Sequence, residues 1–341
     1  MNINEIAALC GVSPATVSRV INNNPNVSPA TREKVLRTMR KTDYTPNAFA
    51  SGIGRNAMRL VGILCTDTAN LYYGRIVSML AQDLRSAGFD TLLCCTGVKL
   101  EDKKTALSDL LQKRVDAVIL VGSAYREERN NTHIREAAEQ APVFLVNAHV
   151  QIPNVYCVLC DEREAMEHSV GSLIEAGHRN ILYLHDMKKW AWAGSQKLQG
   201  YLDGLAAHGV AQDNALIHMV SNTIGDAQGV VKRLLGEGLK FSAILASEDI
   251  LAIGAQKAVL AAKRDIAIIG FNNSQYALCC TPELTSVDNM MDTICPIVVD
   301  MIDGFFAGEK ITAKVVISAR LMERGSFSHV KPKEGQQKTD R

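Results

Sequence analysis

Short apolar runs alternate with longer amphipathic segments through most of this 341-residue chain. From residue 60 the runs are Leu60–Cys65, Thr91–Thr96, Ala117–Val121, Val143–Val146, Ile181–Leu184, Ala243–Ala246 and Ile266–Phe271. Segments such as Ile76–Ala87 and Ala165–Ala176, apolar at helical spacing, lie between them. A run without polar alternation makes a strand that must be covered on both faces, which is the pattern of parallel sheets sandwiched between helices. The length predicts an α/β body of two doubly wound parallel-sheet lobes. Ligands of such sheets bind beyond the carboxyl ends of the strands.

The first 45 residues follow a helical period instead. Ile6, Leu9 and Val12 trace an apolar stripe, and Gly11 supplies a left-handed turn after the first helix. Ser13 is a natural N-cap, and Pro14 occupies the first helical position, where its missing N–H costs nothing. Val17, Val20 and Ile21 give this second helix an inward face, while Pro14, Ala15, Thr16, Ser18, Arg19 and Asn22 are left to face outward. Small Ala7 lets the two helices cross closely. The letters Val-Ser-Pro-Ala-Thr return at residues 27–31 and open a third helix to about Thr42, so two helix starts share one capping solution. The result is a small all-α helix-turn-helix headpiece whose second helix fits a major groove.

An ordinary three-helix bundle would show the same caps, and charge separates the two readings. Residues 1–59 carry eight Lys or Arg against Glu5, Glu33 and Asp43, a net of +5, whereas the whole chain is +1 and the remainder is therefore −4. A basic module on a mildly acidic body is the footprint of a protein that meets phosphates with one part only.

With 47% hydrophobic and 21% charged residues, the chain is expected to be soluble and to form two or three domains. Its first five residues are neither basic nor apolar, and no stretch is long enough to cross a bilayer, which predicts a cytoplasmic protein without a membrane partner. Nine cysteines, mostly inside apolar runs such as Leu92–Cys95, read as reduced core thiols. Cys157 and Cys160 have Cys-x-x-Cys spacing, but Val155, Val158 and Leu159 around them mark a buried strand rather than a metal or redox site. Gly52–Ala57 matches a loose dinucleotide fingerprint, yet it precedes the strand at Leu60 when it should come after one. No nucleophile elbow, His-Glu-x-x-His pair or phosphate loop occurs. His168 and His178 stand alone in surface or core roles. No enzyme activity, metal or cofactor is expected.

Val12–Asn22, the Val-Ser-x-x-Thr-Arg-x-Lys-Val run at 27–35, and Tyr44–Ala50 together resemble the headpiece of the LacI/GalR family of transcriptional repressors. Asp67–Tyr73, Gly177-His178-Arg179, Gly270–Asn273, Pro282–Val287 and Arg320–Ser326 extend the resemblance through the body, to about residues 3–326 in all. It implies a headpiece at 1–45, a hinge helix or linker at 46–58 and a two-lobed, periplasmic-binding-protein-like effector domain at 59–326. The N-lobe would comprise about 59–160 and 290–326, and the C-lobe about 161–289. A disordered polar tail would occupy 327–341.

The resemblance further implies a homodimer on a palindromic operator. It places Pro14, Ala15 and Arg19 at base-reading positions, with Arg19 able to grip guanine and Ala15 a thymine methyl, and Ile53 at the minor-groove wedge of the hinge. In the effector cleft it places Tyr72 and Tyr73 as walls, Asp161 and Asn272 as polar anchors, Lys197 for the usual arginine and Ile224 for a frequent aromatic. Trp190 and Trp192 either stack on a sugar face or anchor packing. The function implied is a ligand-responsive repressor of carbohydrate-utilisation genes, its effector a sugar, sugar acid or sugar phosphate. A sugar receptor without DNA would leave the headpiece and the missing export signal unexplained. A sugar-metabolising enzyme would need a catalytic constellation the sequence lacks.

Overall fold

A computed structural model describes residues 2–21, 24–42, 44, 58–186 and 192–328, and the chain divides into two compact units, Met1–Leu60 and Val61–Arg341. Asn22, Ile53, Trp190, the hinge at Asn47–Asn56 and the tail from residue 329 lie outside the described residues.

The first unit holds α1 (Ile3–Cys10), α2 (Pro14–Ile21) and α3 (Pro29–Lys41). Asn2 opens α1 with a capping box: its side chain accepts from Glu5 N at 3.1 Å while Glu5 Oε2 accepts from Asn2 N at 2.9 Å. Gly11 closes α1 at φ 59°, a left-handed conformation that costs glycine little. The repeated five-residue segment is one cap used twice. Ser13 Oγ accepts from Thr16 N and Ser28 Oγ from Thr31 N, both at 3.2 Å, and each serine hydroxyl also meets the threonine hydroxyl three residues on. Ile6, Ala7, Cys10, Val17, Val20, Val27 and Val35 form the core. Leu9, expected on the buried stripe, is 57% exposed. The buried face of α1 is centred between Ile6 and Ala7, and this turns Leu9 outward while Cys10 takes the inner position.

The second unit contains two six-stranded sheets. The first is built from β1 (Leu60–Cys65), β2 (Asp90–Cys95), β3 (Ala117–Val121), β4 (Val143–Val146), β5 (Val155–Cys160) and β11 (Lys314–Ile317), in the order β11-β5-β4-β3-β1-β2. The second is built from β6 (Ile181–Asp186), β7 (Ile217–Val220), β8 (Ala243–Ala246), β9 (Ala267–Phe271), β10 (Thr285–Asp288) and β12 (Arg320–Met322), in the order β12-β10-β9-β8-β6-β7. The pairings of β1 with β3, β3 with β4 and β4 with β5 are parallel, as are those of β6, β8 and β9, whereas β12 runs antiparallel against β10. Both faces of the second sheet are buried, with Leu182 and Leu184 entering one core and Ile181 and Tyr183 the other.

The chain passes between the lobes three times, after β5, after β10 and between β11 and β12. The stretch assigned to the N-lobe as 290–326 is therefore divided: β11 completes the first sheet, but β12 joins the second, because Ser286–Asp288 offer it an open edge. Phe327 and Ser328, expected in the polar tail, are packed; Phe327 joins the second lobe's core and the Ser328 carbonyl lies 2.7 Å from His178 Nε2. His178 thereby takes the core role.

Helices α4 (Leu71–Ser86), α5 (Leu100–Gln112) and α6 (Thr132–Ala138) fall between the strands β1 to β4, and α7 (Glu162–Glu175) and α8 (Trp192–Ala207) flank β6 in the chain. The last two pack on each other through glycine. A Cβ on Gly200 would collide with the Arg163 carbonyl oxygen, and one on Gly204 would sit 2.7 Å from Val170 Cβ. The two backbones meet where no side chain intervenes. Gly200→Ala is expected to lower the unfolding free energy by about 1–3 kcal/mol through overpacking, measured by urea denaturation of the full chain; an unchanged midpoint would refute the backbone contact.

Candidate functional site

The residues just past the strand ends converge on one cavity between the lobes, enclosing roughly 850 Å³ of empty space with its mouth included. Thr66 follows β1, Gly122 and Ser123 follow β3, Asn147 follows β4, Glu162 follows β5, Asp186 ends β6, Ser247 and Glu248 follow β8, and Asn272 follows β9. This is where doubly wound sheets present free loop ends and helix starts. Asn70 caps α4 by accepting from Tyr72 N at 2.9 Å, which brings Tyr72 and Tyr73 into the wall with their rings edge to face, centroids 5.2 Å apart. Tyr73 needs glycine opposite it, since a Cβ on Gly122 would lie 2.5 Å from its ring. The Tyr72 hydroxyl accepts from Asn147 Nδ2, and Asn147 Oδ1 accepts from Cys160 N at 3.1 Å.

At the floor lies Lys197, 4% exposed and three residues before Gly200. Its Nζ donates to Ser247 O at 3.0 Å and to Glu248 Oε1 at 3.3 Å, stands 3.7 Å from Glu162 Oε1, and lies 3.9 Å over the Phe271 ring centroid. Burial alone would lower the pKa of this ammonium; Glu162 and Glu248 outweigh it and hold the group above its ordinary value. Burial likewise pushes the Glu162 carboxyl up, partly offset by Lys197 and reinforced by Glu248. Asn272 Nδ2 donates to Glu248 Oε2, and Asn289 Nδ2 to Asn272 Oδ1 at 3.0 Å, so the network reaches from α8 to the second crossing between the lobes.

Of the residues singled out from the sequence, the cavity brings together Tyr72, Tyr73, Lys197 and Asn272. Asp161 is a correction: it is the N-cap of α7, its carboxylate accepting from Glu164 N at 3.0 Å, and its neighbour Glu162 is the acid in the lining. Ile224 is another, since it starts α9 (Ile224–Gly236) and packs against the second lobe's core, while Asn222 two residues earlier lines the cavity. Trp192 opens α8 with Arg126 5.7 Å over its ring, a packing role. Sequence reasoning missed Asn147, Glu162, His185, Asp186 and Glu248. All but Glu162 stand at ends of runs already recognised as strands, so the strand-end rule would have found those four. Cys157 and Cys160 are buried, as are Cys10, Cys65 and Cys295, and Cys157 Sγ is turned to Val150 O, whereas Cys95, within the apolar run expected in the core, and Cys279 are exposed.

On α2, Val17 and Val20 are buried, Pro14, Ala15 and Arg19 are exposed, and Thr16 and Ser18 are half-buried. The outward face is the expected one, short and carrying one long donor, Arg19.

A helix-turn-helix unit with a two-lobed body that holds a polar cavity at its strand ends defines a ligand-binding regulator of the periplasmic-binding-protein type. Residues 2–47 match the family of bacterial regulatory proteins of the lacI family, and residues 59–302 match periplasmic binding proteins and the sugar-binding domain of the LacI family. The chain belongs to the LacI family. It is 42% identical over 330 residues to an HTH-type transcriptional regulator of Lachnoclostridium phytofermentans, covering 95% of this chain and 98% of that protein. The structure of the transcriptional regulator CelR–cellobiose complex superposes with a TM-score of 0.69 at 26% identity, covering 96% of this chain and 99% of that one. The lac repressor dimer bound to operator and an anti-inducer shares the fold, with a TM-score of 0.87 at 23% identity over 96% and 99% of the two chains. The chain is a DNA-binding transcriptional regulator and not an enzyme. No helix among the described residues is long and apolar enough to cross a membrane.

The buried charges generate two expected outcomes. Lys197→Met leaves Glu162 and Glu248 facing each other without a cation and is expected to cost about 3–5 kcal/mol. Adding Glu162→Gln should restore part of that loss in chemical denaturation, and a double variant no more stable than Lys197→Met would refute the coupling. The second concerns Asp249, first residue of α10 (Asp249–Ala261), whose carboxylate accepts from Ser286 Oγ at 2.5 Å and Ser274 N at 2.6 Å. Burial, only partly offset by these bonds, raises its pKa from 3.8 to about 6. The folded state therefore holds the proton more tightly than the unfolded one, so this contribution to stability is full below pH 3.8 and is lost as pH rises through 6, by about 3 kcal/mol. Asp249→Asn should flatten that part of the stability–pH curve.

Proposed function

We propose that this regulator is a homodimeric repressor of carbohydrate-utilisation genes that reads a palindromic operator through the outward face of α2 and takes a small sugar-type effector in the cavity between its lobes. The observation that carries the reading is the cavity itself, a cleft lined by amides, carboxylates and two tyrosines in which a polyhydroxylated ligand meets both hydrogen bonds and ring faces. The cellobiose held by the CelR relative supports it. Tyr72, Tyr73, Lys197 and Asn272 are the proposed contacts, joined by Asn147 and Glu162; Trp190, proposed as a further contact from the resemblance, lies outside the described residues. Pro14, Ala15, Thr16, Ser18 and Arg19 are the proposed major-groove face; Asn22, and Ile53 as the minor-groove wedge, are proposed on the family resemblance and lie outside the described residues. The protein works in the cytoplasm, where the operator is.

Three passages of chain between the lobes form the hinge of a closing motion. An effector changes operator affinity only as far as it binds one lobe arrangement better than the other, typically about 1–3 kcal/mol of coupling.

Arg19→Ala is expected to cost about 1–3 kcal/mol on the cognate operator and to relax preference at one base pair. Fluorescence anisotropy at fixed salt measures this, and equal losses on operator and random DNA would refute base reading. Light scattering is expected to give twice the chain mass of 37.1 kDa; four times that mass would refute the dimer.

A further inference from the structure

Among the described residues that line the cavity, carboxylates outnumber cationic side chains. Lys197 is the one lysine or arginine among them, and the acids within its reach are Glu162 and Glu248. Its ammonium is already committed to Ser247 O and Glu248, with Glu162 Oε1 at 3.7 Å. Glu162 is 5% exposed, and its second oxygen, Oε2, has no hydrogen-bond partner among the described residues. The side-chain oxygen of Asn222, also in the lining, is buried and equally unpartnered. Both unmet atoms are acceptors. Asn147 and Asn272 each direct an amide N–H elsewhere, to Tyr72 and Glu248, and no described residue donates to either of these oxygens.

A buried carboxylate oxygen without a partner is costly, and the deficit is relieved by a donor that carries positive charge. An ammonium presents three donors and no acceptor, whereas a carboxylate or phosphate presents acceptors only and would face the carboxylates of Glu162 and Glu248. A neutral hydroxyl meets the hydrogen bond but leaves the charge.

We infer that the effector is an aminated polyol, a sugar carrying a protonated amine that docks on Glu162 Oε2, with its hydroxyls spread toward Asn222 and the Tyr72–Tyr73 wall. This rests on the reading of the cavity as the effector site.

The test is calorimetry and thermal-shift measurement on the full chain at neutral pH with matched probes. These are glucosamine, galactosamine and mannosamine, their neutral parents, and glucuronate, galacturonate and glucose 6-phosphate. At least one amino sugar is expected to bind about tenfold or more tightly than its parent, and the anionic probes more weakly than the parents. Glu162→Gln is expected to bring the ratio of amine to parent close to one, and Asn222→Ala, outside the buried ion cluster, to weaken the amine as well. A neutral or anionic sugar binding as tightly as its amine would overturn the inference while leaving the cavity's sugar-binding role standing. Silence from every probe would overturn both.

Discussion

One ammonium holds the ligand-binding body together at its most demanding point. Lys197 brings three elements to a single atom: the start of α7 through Glu162, the loop after β8 through Ser247 and Glu248, and the end of β9 through the Phe271 ring. Two carboxylates that near to each other in a buried place would repel, and the cation between them turns the repulsion into a clamp. It can reach that position only because Gly200, one turn further along α8, lets α8 settle against the backbone of α7 at Arg163. A side chain there would lift the helix and the ammonium away from both acids.

The clamp also shapes what the cavity can recognise. Lys197 is a structural counter-ion as much as a ligand contact, so the site differs from one in which a basic side chain stands free to grip an anion. From sequence Lys197 stands only as the replacement of a usual arginine, because its partners are 35 and 51 positions away. In the folded protein the arm is satisfied by protein groups, and the unmet demand passes to the acceptors Glu162 Oε2 and Asn222 Oδ1. Relatives that share the fold differ in what they bind, as the CelR–cellobiose complex and the anti-inducer complex of the lac repressor show. In a fold reused in this way the identities of residues at the strand ends decide the ligand.

The headpiece works on a different principle. Its core is seven small or medium apolar residues, so much of its definition comes from chain ends and turns. One Ser-Pro-Ala-Thr solution fixes the start of α2 and again of α3, and glycine in the left-handed region fixes the end of α1. Such local devices set the angle at which α2 offers Ala15 and Arg19 outward.

Because caps, turns and apolar runs act over a few residues, the sequence by itself determined the three headpiece helices, the parallel strands with strong apolar runs and the basic-against-acidic division of the chain. It determined Tyr72, Tyr73, Lys197 and Asn272 as cavity residues only through the family resemblance, and the resemblance missed by one position at Asp161 and by two at Ile224. At a strand end the choice between adjacent residues depends on which side chain caps the next helix and which turns into the cleft, and Asp161 capping Glu164 sends Glu162 inward. The tertiary structure alone decided the lobe of β12, an edge strand of three residues, Arg320 exposed and Leu321 and Met322 half-buried, too short to carry a strand pattern. It alone decided the charge state of the cavity as well, because a lysine's meaning is set by the acids it meets, and those are brought to Lys197 by folding rather than by proximity along the chain.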